Sequence, residues 1–137
     1  MNVEEFFKAA NYKNLEVLCR DFYDKDVTFI DPLGEISGIE NLTAYYQHMY
    51  RNVKTIDFRY IDKFVRGDEE VFVWQMHLQH KAIAKGDLVI VDGVSILRYE
   101  KGKAVYHRDY FDLGTMLYEN IPALGPIVRW IKSKAHG

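Results

Sequence analysis

Four stretches of alternating apolar and polar residues, at about 54–66, 70–83, 87–99 and 103–112, follow one another with only short breaks containing Gly67, Gly86 and Gly102. A period of two is that of a strand with one face buried, and glycine between such runs gives the backbone the freedom a tight turn needs. Four consecutive strands joined this way predict an antiparallel meander. Its apolar face must be covered, and the helical segments ahead of it in the chain are what can cover it.

Those segments are legible from their period. Val3, Phe6, Phe7 and Ala10 recur at helical spacing, as do Leu15, Leu18, Cys19 and Phe22 after a break at 11–14. Asn14 is placed to cap the second helix. Ile39, Leu42, Tyr46, Met49 and Val53 mark a third, preceded by Ser37 and Glu40 at the spacing of a capping box. Between the second and third helices, Val27 to Ile30 predicts a short strand ended by Asp31 and Pro32. The tail after Gly114 predicts one more short amphipathic helix, Pro126 to Ala135, with proline at its first position. The fold class is therefore α+β, with helices packed on a curved antiparallel sheet. No repeat, low-complexity tract or linker divides the chain, so it reads as a single domain over 1–137, with a core at 3–113 and an extension at 114–137.

Composition excludes several function classes. With 137 residues, 48% hydrophobic and 28% charged, the chain can bury a core, and its net charge of −2 gives no general attraction to nucleic acid. No apolar run is long enough to cross a bilayer. The tail sets Ile127, Val128, Trp130 and Ile131 beside Arg129, Lys132 and Lys134, the only hint of membrane contact, and at this length it is expected to pack on its own domain or a twin subunit. The acidic start MNVEEFFKAANY lacks the apolar core of a signal peptide, and the single Cys19 fits a reducing compartment; the expectation is cytoplasmic. Cys19 lies on an apolar helical face and reads as a small buried hydrophobe.

Two strings, in this order, carry a family resemblance. "FYDKDVTFIDPLGEISG" followed by a helix is similar to the opening of the ketosteroid isomerases, and "GKAVYHRDYFDLG" resembles the last strand of the limonene-epoxide hydrolases. The chain from about Val3 to Leu113 thus resembles the nuclear transport factor 2-like superfamily, in particular its SnoaL-like polyketide cyclases, isomerases and epoxide hydrolases. The resemblance implies a cone-shaped fold with a mostly apolar pocket. It places Asp31 at the general base of the isomerases and Tyr23 and Tyr46 in their tyrosine network. Their oxyanion hole does not carry over: its tyrosine falls on Phe7 and its protonated aspartate on Ser95. Losing one such donor typically costs about 10²–10³ in rate, so steroid isomerisation is not expected. Against the epoxide hydrolases, Asp109 matches the last-strand aspartate, whereas the arginine and aspartate of the second meander strand fall near Gln75 and His77.

Strand parity says which residues can meet. His107, Asp109 and Phe111 share one face of the last strand, and Gln75 and His77 share a face opposite Trp74, Met76 and Leu78. The resemblance points the first set of each strand into the cavity, with Trp74, Met76 and Leu78 at or near a homodimer interface. Asp31 has two readings, a turn residue before proline and a pocket carboxylate. Asp109 also has two, a pocket carboxylate and half of a buried ion pair with Arg20, Arg59 or Arg98. His77, His107 and Asp109 could form a facial metal triad, but no compact ligand motif accompanies them and no metal or cofactor is expected.

The expectation is a small-molecule-binding SnoaL-like domain acting by cofactor-independent acid–base chemistry on a hydrophobic, carbonyl-containing compound. Asp31 or Asp109 would be the base, His77 and His107 its polar partners, and Tyr23, Tyr46, Gln75, Ser95, Phe111 and Phe7 would line the ligand. The alternative is a non-catalytic ligand-binding or dimeric scaffold domain.

Overall fold

The computed structural model describes residues 1–116 and 124–137. Helices α1 (Val3–Ala9) and α2 (Leu15–Phe22) lead into strand β1 (Tyr23–Asp31), a short β2 (Gly34–Ser37) and helix α3 (Ile39–Tyr50). The meander follows as β3 (Val53–Arg66), β4 (Glu69–His80), β5 (Val89–Glu100) and β6 (Lys103–Phe111), then a single turn α4 (Leu113–Met116) and helix α5 (Gly125–His136). The six strands form one open, curved sheet in the order β2-β1-β6-β5-β4-β3, with β1 parallel to β6 and every other pair antiparallel. The expected α+β architecture is the one observed.

The first three helices pack on the inner face of this sheet through the residues their period marks. Val3, Phe6, Leu15, Leu18, Cys19, Phe22, Leu42 and Tyr46 are all buried. Burial also pushes the Cys19 thiol pKa up, as expected for a small core hydrophobe. Helix α1 has a capping box that the apolar spacing did not reveal: Asn2 accepts from the Glu5 N–H at 2.8 Å while the Glu5 side chain accepts from the Asn2 N–H at 3.1 Å.

Two expected caps do not form. Ser37 is the last residue of β2, paired with Thr28, so α3 starts instead from Gly38 at φ +86°, a conformation that favours glycine. Asn14 stands at the start of α2, but its side chain reaches back to the Asn11 N–H and the Ala9 carbonyl.

On β4 and β5 the buried residues alternate strictly. Phe72, Trp74, Met76 and Leu78 face the helices from β4, and Val89, Val91, Ser95 and Leu97 do so from β5. This reverses the expected orientation of β4. Trp74, Met76 and Leu78 are core residues, and Gln75 and His77 point to the outer face. The reason is steric as well as apolar. Trp74 pairs with Gly93, and a Cβ at Gly93 would lie 2.2 Å from the Trp74 ring, so the indole occupies the space a side chain would take. A shift of one residue in matching β4 to the family exchanges its two faces.

Helix α5 is fastened rather than buried. Lys132 Nζ lies 2.6 Å from Asp112 Oδ2, and Asp112 also accepts from the Thr115 hydroxyl at 2.8 Å and caps α4. Of the two expected partners of α5, its own domain and a twin subunit, the first does not cover Ile127, Trp130 and Ile131, which are each more than half exposed.

Two outcomes follow from this packing. Gly93→Ala is expected to lower stability by about 1–3 kcal/mol in urea denaturation and to red-shift tryptophan emission, because Trp74 must leave its seat. Lys132 holds the Asp112 carboxyl down to about 2, so the pair contributes stability above the ordinary carboxylate range and loses it as pH falls toward that value. Both side chains are nearly half exposed, which keeps the contribution below about 1 kcal/mol. In Lys132→Ala, an NMR titration of Asp112 should move upward into the ordinary range.

Candidate functional site

Strand β6 supplies the centre of the site. A register shift opposite Arg98 and Tyr99 sets the face of the strand beyond it, so that His107, Asp109 and Phe111 turn inward together as their parity predicts. His107 is completely buried. Its Nε2 lies 2.7 Å from Asp109 Oδ1 and its Nδ1 2.7 Å from the Tyr23 hydroxyl, which is 2.8 Å from the Tyr46 hydroxyl. Asp109 Oδ1 also accepts from Ser95 Oγ at 2.5 Å, and Ser95 in turn accepts from Trp74 Nε1 at 2.8 Å. Six side chains from α3, β1, β4, β5 and β6 thus form one continuous hydrogen-bonded chain.

The direction of each bond follows from what the groups can give. A carboxylate oxygen accepts, so Nε2 of His107 carries the hydrogen, and in the neutral ring Nδ1 must accept from Tyr23. The Tyr23 oxygen then accepts from Tyr46. Burial, above all, holds the pKa of both phenols well above the ordinary tyrosine value, with the nearby Asp109 adding to it, so both keep their protons as this order requires.

Asp109 and Asp31 reach the same cavity, of about 60 Å³, walled by Phe7, Phe29, Phe58, Phe72, Trp74 and Phe111. The two carboxylates differ in how they are held. Asp31 accepts from the Leu33 N–H at 2.8 Å through one oxygen and from the Tyr45 hydroxyl through the other. It is both the turn residue before proline and a cavity residue, and both oxygens are engaged. Burial and the bond to Asp31 keep Tyr45 protonated by raising its pKa far above the ordinary value. In Asp109 both bonds converge on Oδ1, and no described residue bonds Oδ2. The alternative reading, an ion pair of Asp109 with Arg20, Arg59 or Arg98, is not realised: Arg20 pairs with Glu16, Arg59 with Asp57, and Arg98 lies over the Tyr106 ring.

Asp31, Asp109, Tyr46, Ser95, Phe111 and Phe7 therefore line one cavity, and His107 and Tyr23 stand behind its wall, bonded to Asp109 and Tyr46. The structure does not bring Gln75 or His77 there. On the outer face His77 Nε2 lies 2.8 Å from Gln75 Oε1, and Gln75 donates to the surface Asp92 at 3.2 Å. That placement rules out a triad of His77 with His107 and Asp109.

Sequence reasoning missed Tyr50 on the cavity wall, Tyr45 as the donor to Asp31 and the hydrogen-bonding role of Trp74. Tyr50 was visible as the next step of the Leu42, Tyr46 stripe on α3. Tyr45 and Trp74 carried no signal, since the first lies one step off that stripe and the second was placed on the outer face.

Residues 3–107 match the family described as SnoaL-like domain. The chain belongs to that family. Its fold is shared with a hypothetical protein of Catenulispora acidiphila that has a ketosteroid isomerase-like fold and was solved in complex with trimethylamine, at TM-score 0.72 and 19% identity over 89% of this chain and 97% of that one. It is also shared with a protein of a Jannaschia species provisionally assigned as a SnoaL-like polyketide cyclase, at TM-score 0.65 and 16% identity over 74% and 80% of the two chains. A protein of Shewanella putrefaciens with the same provisional assignment matches at TM-score 0.68 and 17% identity over 81% and 77%. Likeness at these identities is likeness of fold. Among curated proteins no match is found. No helix among the described residues is long and apolar enough to cross a membrane.

The two carboxylates should answer substitution differently. Asp109→Asn keeps an oxygen for Ser95 and His107 and puts a neutral amide where Oδ2 stood, so stability at pH 7 is expected to hold or to rise by up to about 2 kcal/mol. Asp31→Asn replaces one of two engaged acceptors with a donor and should lose about 1 kcal/mol. Thermal unfolding of the two variants beside the parent checks this, and an equal loss in both would make Asp109 a structural residue.

Proposed function

We propose that this SnoaL-like domain binds a small, mostly apolar molecule in the aromatic cavity and that Asp109 takes a proton from it. The observation carrying this is the asymmetry of Asp109, which lines an apolar cavity with Oδ1 held by Ser95 and His107 and Oδ2 bonded by no described residue. A carboxylate held in this way has one fixed oxygen and one free to accept. The chemistry would be cofactor-independent acid–base catalysis of isomerase, cyclase, dehydratase or hydrolase type on a hydrophobic carbonyl compound. As a proton reaches Oδ2, the His107 Nε2–H and Ser95 O–H steady Oδ1, while Tyr23 and Tyr46 keep the imidazole in one tautomer and orientation. Asp31, with both oxygens engaged, orders the turn and shapes the cavity, and Phe7 and Phe111 are walls.

A second reading, a binding domain without chemistry, rests on the donors. The polar hydrogens of Trp74, Ser95, Tyr45 and Tyr46 are all directed at protein acceptors, so none of them is free for an oxyanion. Homodimerisation remains part of the proposal, through the outer sheet face, where Ile90 and Tyr110 are each about half exposed. Trp74, Met76 and Leu78 have no part in it.

The deciding experiment is solvent deuterium exchange into a panel of small ketones, followed by NMR with the parent protein and Asp109→Asn. Catalysed exchange that falls by about 10²–10⁴ in the variant supports the base. Binding of a ketone with equal affinity to both proteins, without exchange, selects the binding domain.

A further inference from the structure

The aromatic cavity continues outward. Met49, Tyr50, Ile56, Met76 and Met116 line it and also line a wider groove of about 340 Å³ between the end of α3, the start of β3 and the far end of β4. That groove is by itself within the roughly 300–1,000 Å³ of small-molecule pockets, which the inner cavity is not. A ligand larger than a few atoms would occupy both.

The two chambers have opposite electrical character. The inner one contains Asp31 and Asp109 and, among the described residues, no lysine or arginine. The outer one has Arg51, His48 and His80 on its rim and, among the described residues, no acidic side chain. Arg51 forms no ion pair among the described residues, unlike Arg20, Arg59 and Arg66. An anionic group would be repelled from the inner end and attracted to the mouth.

Tyr50 stands where the chambers meet. It is only 6% exposed, and its hydroxyl is the one buried side-chain polar atom without a hydrogen-bond partner among the described residues. Burial raises the pKa of this phenol far above the ordinary value, so it retains a hydrogen to donate. An unpartnered buried hydroxyl is costly, and a native fold keeps few of them. The atom is closed to solvent, so a ligand oxygen at the junction satisfies it once the phenol turns toward the groove. The C-terminal end of α3 carries the negative end of the helix dipole, so an anion there needs a full opposing charge, which makes Arg51 the deciding residue.

The geometry points to a small organic carboxylate with an apolar chain as the ligand, its carboxylate at the mouth between Arg51 and the Tyr50 hydroxyl and its chain running inward toward Asp109. This rests on the reading that the aromatic cavity is a ligand site and adds the ligand's charge and direction. Calorimetric titration of the full chain with octanoate and with 1-octanol at pH 7 tests it, using the parent, Arg51→Gln and Tyr50→Phe. Octanoate is expected to bind at least about tenfold tighter than octanol, a hydrogen-bonded charge pair being worth that much or more. Arg51→Gln should abolish the preference and leave octanol affinity unchanged. Tyr50→Phe should weaken octanoate by about fivefold or more without lowering the thermal stability of the free protein, since no partner is lost there. Equal affinity for the acid and the alcohol, or octanoate binding indifferent to Arg51→Gln, overturns the inference and leaves the cavity reading standing. Binding of neither molecule overturns both.

Discussion

The seat of Trp74 on Gly93 fixes more of this molecule than any other contact. It sets which face of β4 turns inward, and through the alternation of a strand it sets Phe72, Met76 and Leu78 with it. It also aims the indole N–H at Ser95, whose hydroxyl is then oriented to donate to Asp109. A side chain at position 93 would displace the ring and leave the Ser95 hydroxyl free to turn elsewhere. The geometry of the candidate base therefore depends on a glycine two residues from Ser95 that never touches a ligand.

The chain of bonds from Trp74 to Tyr46 is an economical way to bury polarity. Ser95, Tyr23 and the His107 ring each give one bond and receive another, and the chain ends at the donors Trp74 and Tyr46, so the negative group lies in its middle. A fully buried imidazole without such partners would be expensive to keep. Here it is held by two bonds and by rings on two sides, Tyr23 stacked at 5.9 Å and Phe29 edge-on at 4.9 Å. Rigidity of this kind is what a positioned base or a selective pocket requires.

The fold was readable because its signals are local. Period two in the meander and period three to four in the helices each arise from a face that must be buried, and a single chain displays both. The site was readable where parity alone decides, as on β6, where Asp109 and His107 must share a face. It failed on β4, where parity groups the residues correctly but cannot say which group is inside. That choice lies with Gly93, nineteen residues beyond Trp74 and in another strand. The capping box expected at Ser37 failed for a related reason, since Ser37 was claimed by pairing with Thr28. Tyr45 was lost because helical period ranks residues by burial and says nothing about where a hydroxyl finds a partner.

Two carboxylates in one apolar cavity would ordinarily compete for a proton. In this chain the two are bound in different ways. Asp31 is closed on both oxygens by a turn N–H and a phenol that burial keeps protonated, so its charge is balanced within the protein. Asp109 is balanced on one oxygen only. The aspartate before proline, which drew attention in the sequence, has both oxygens bonded within the protein, and the one on the last strand has one oxygen that no described residue bonds. A cavity that engages every donor near one carboxylate oxygen and leaves the other bare is organised to receive something that donates.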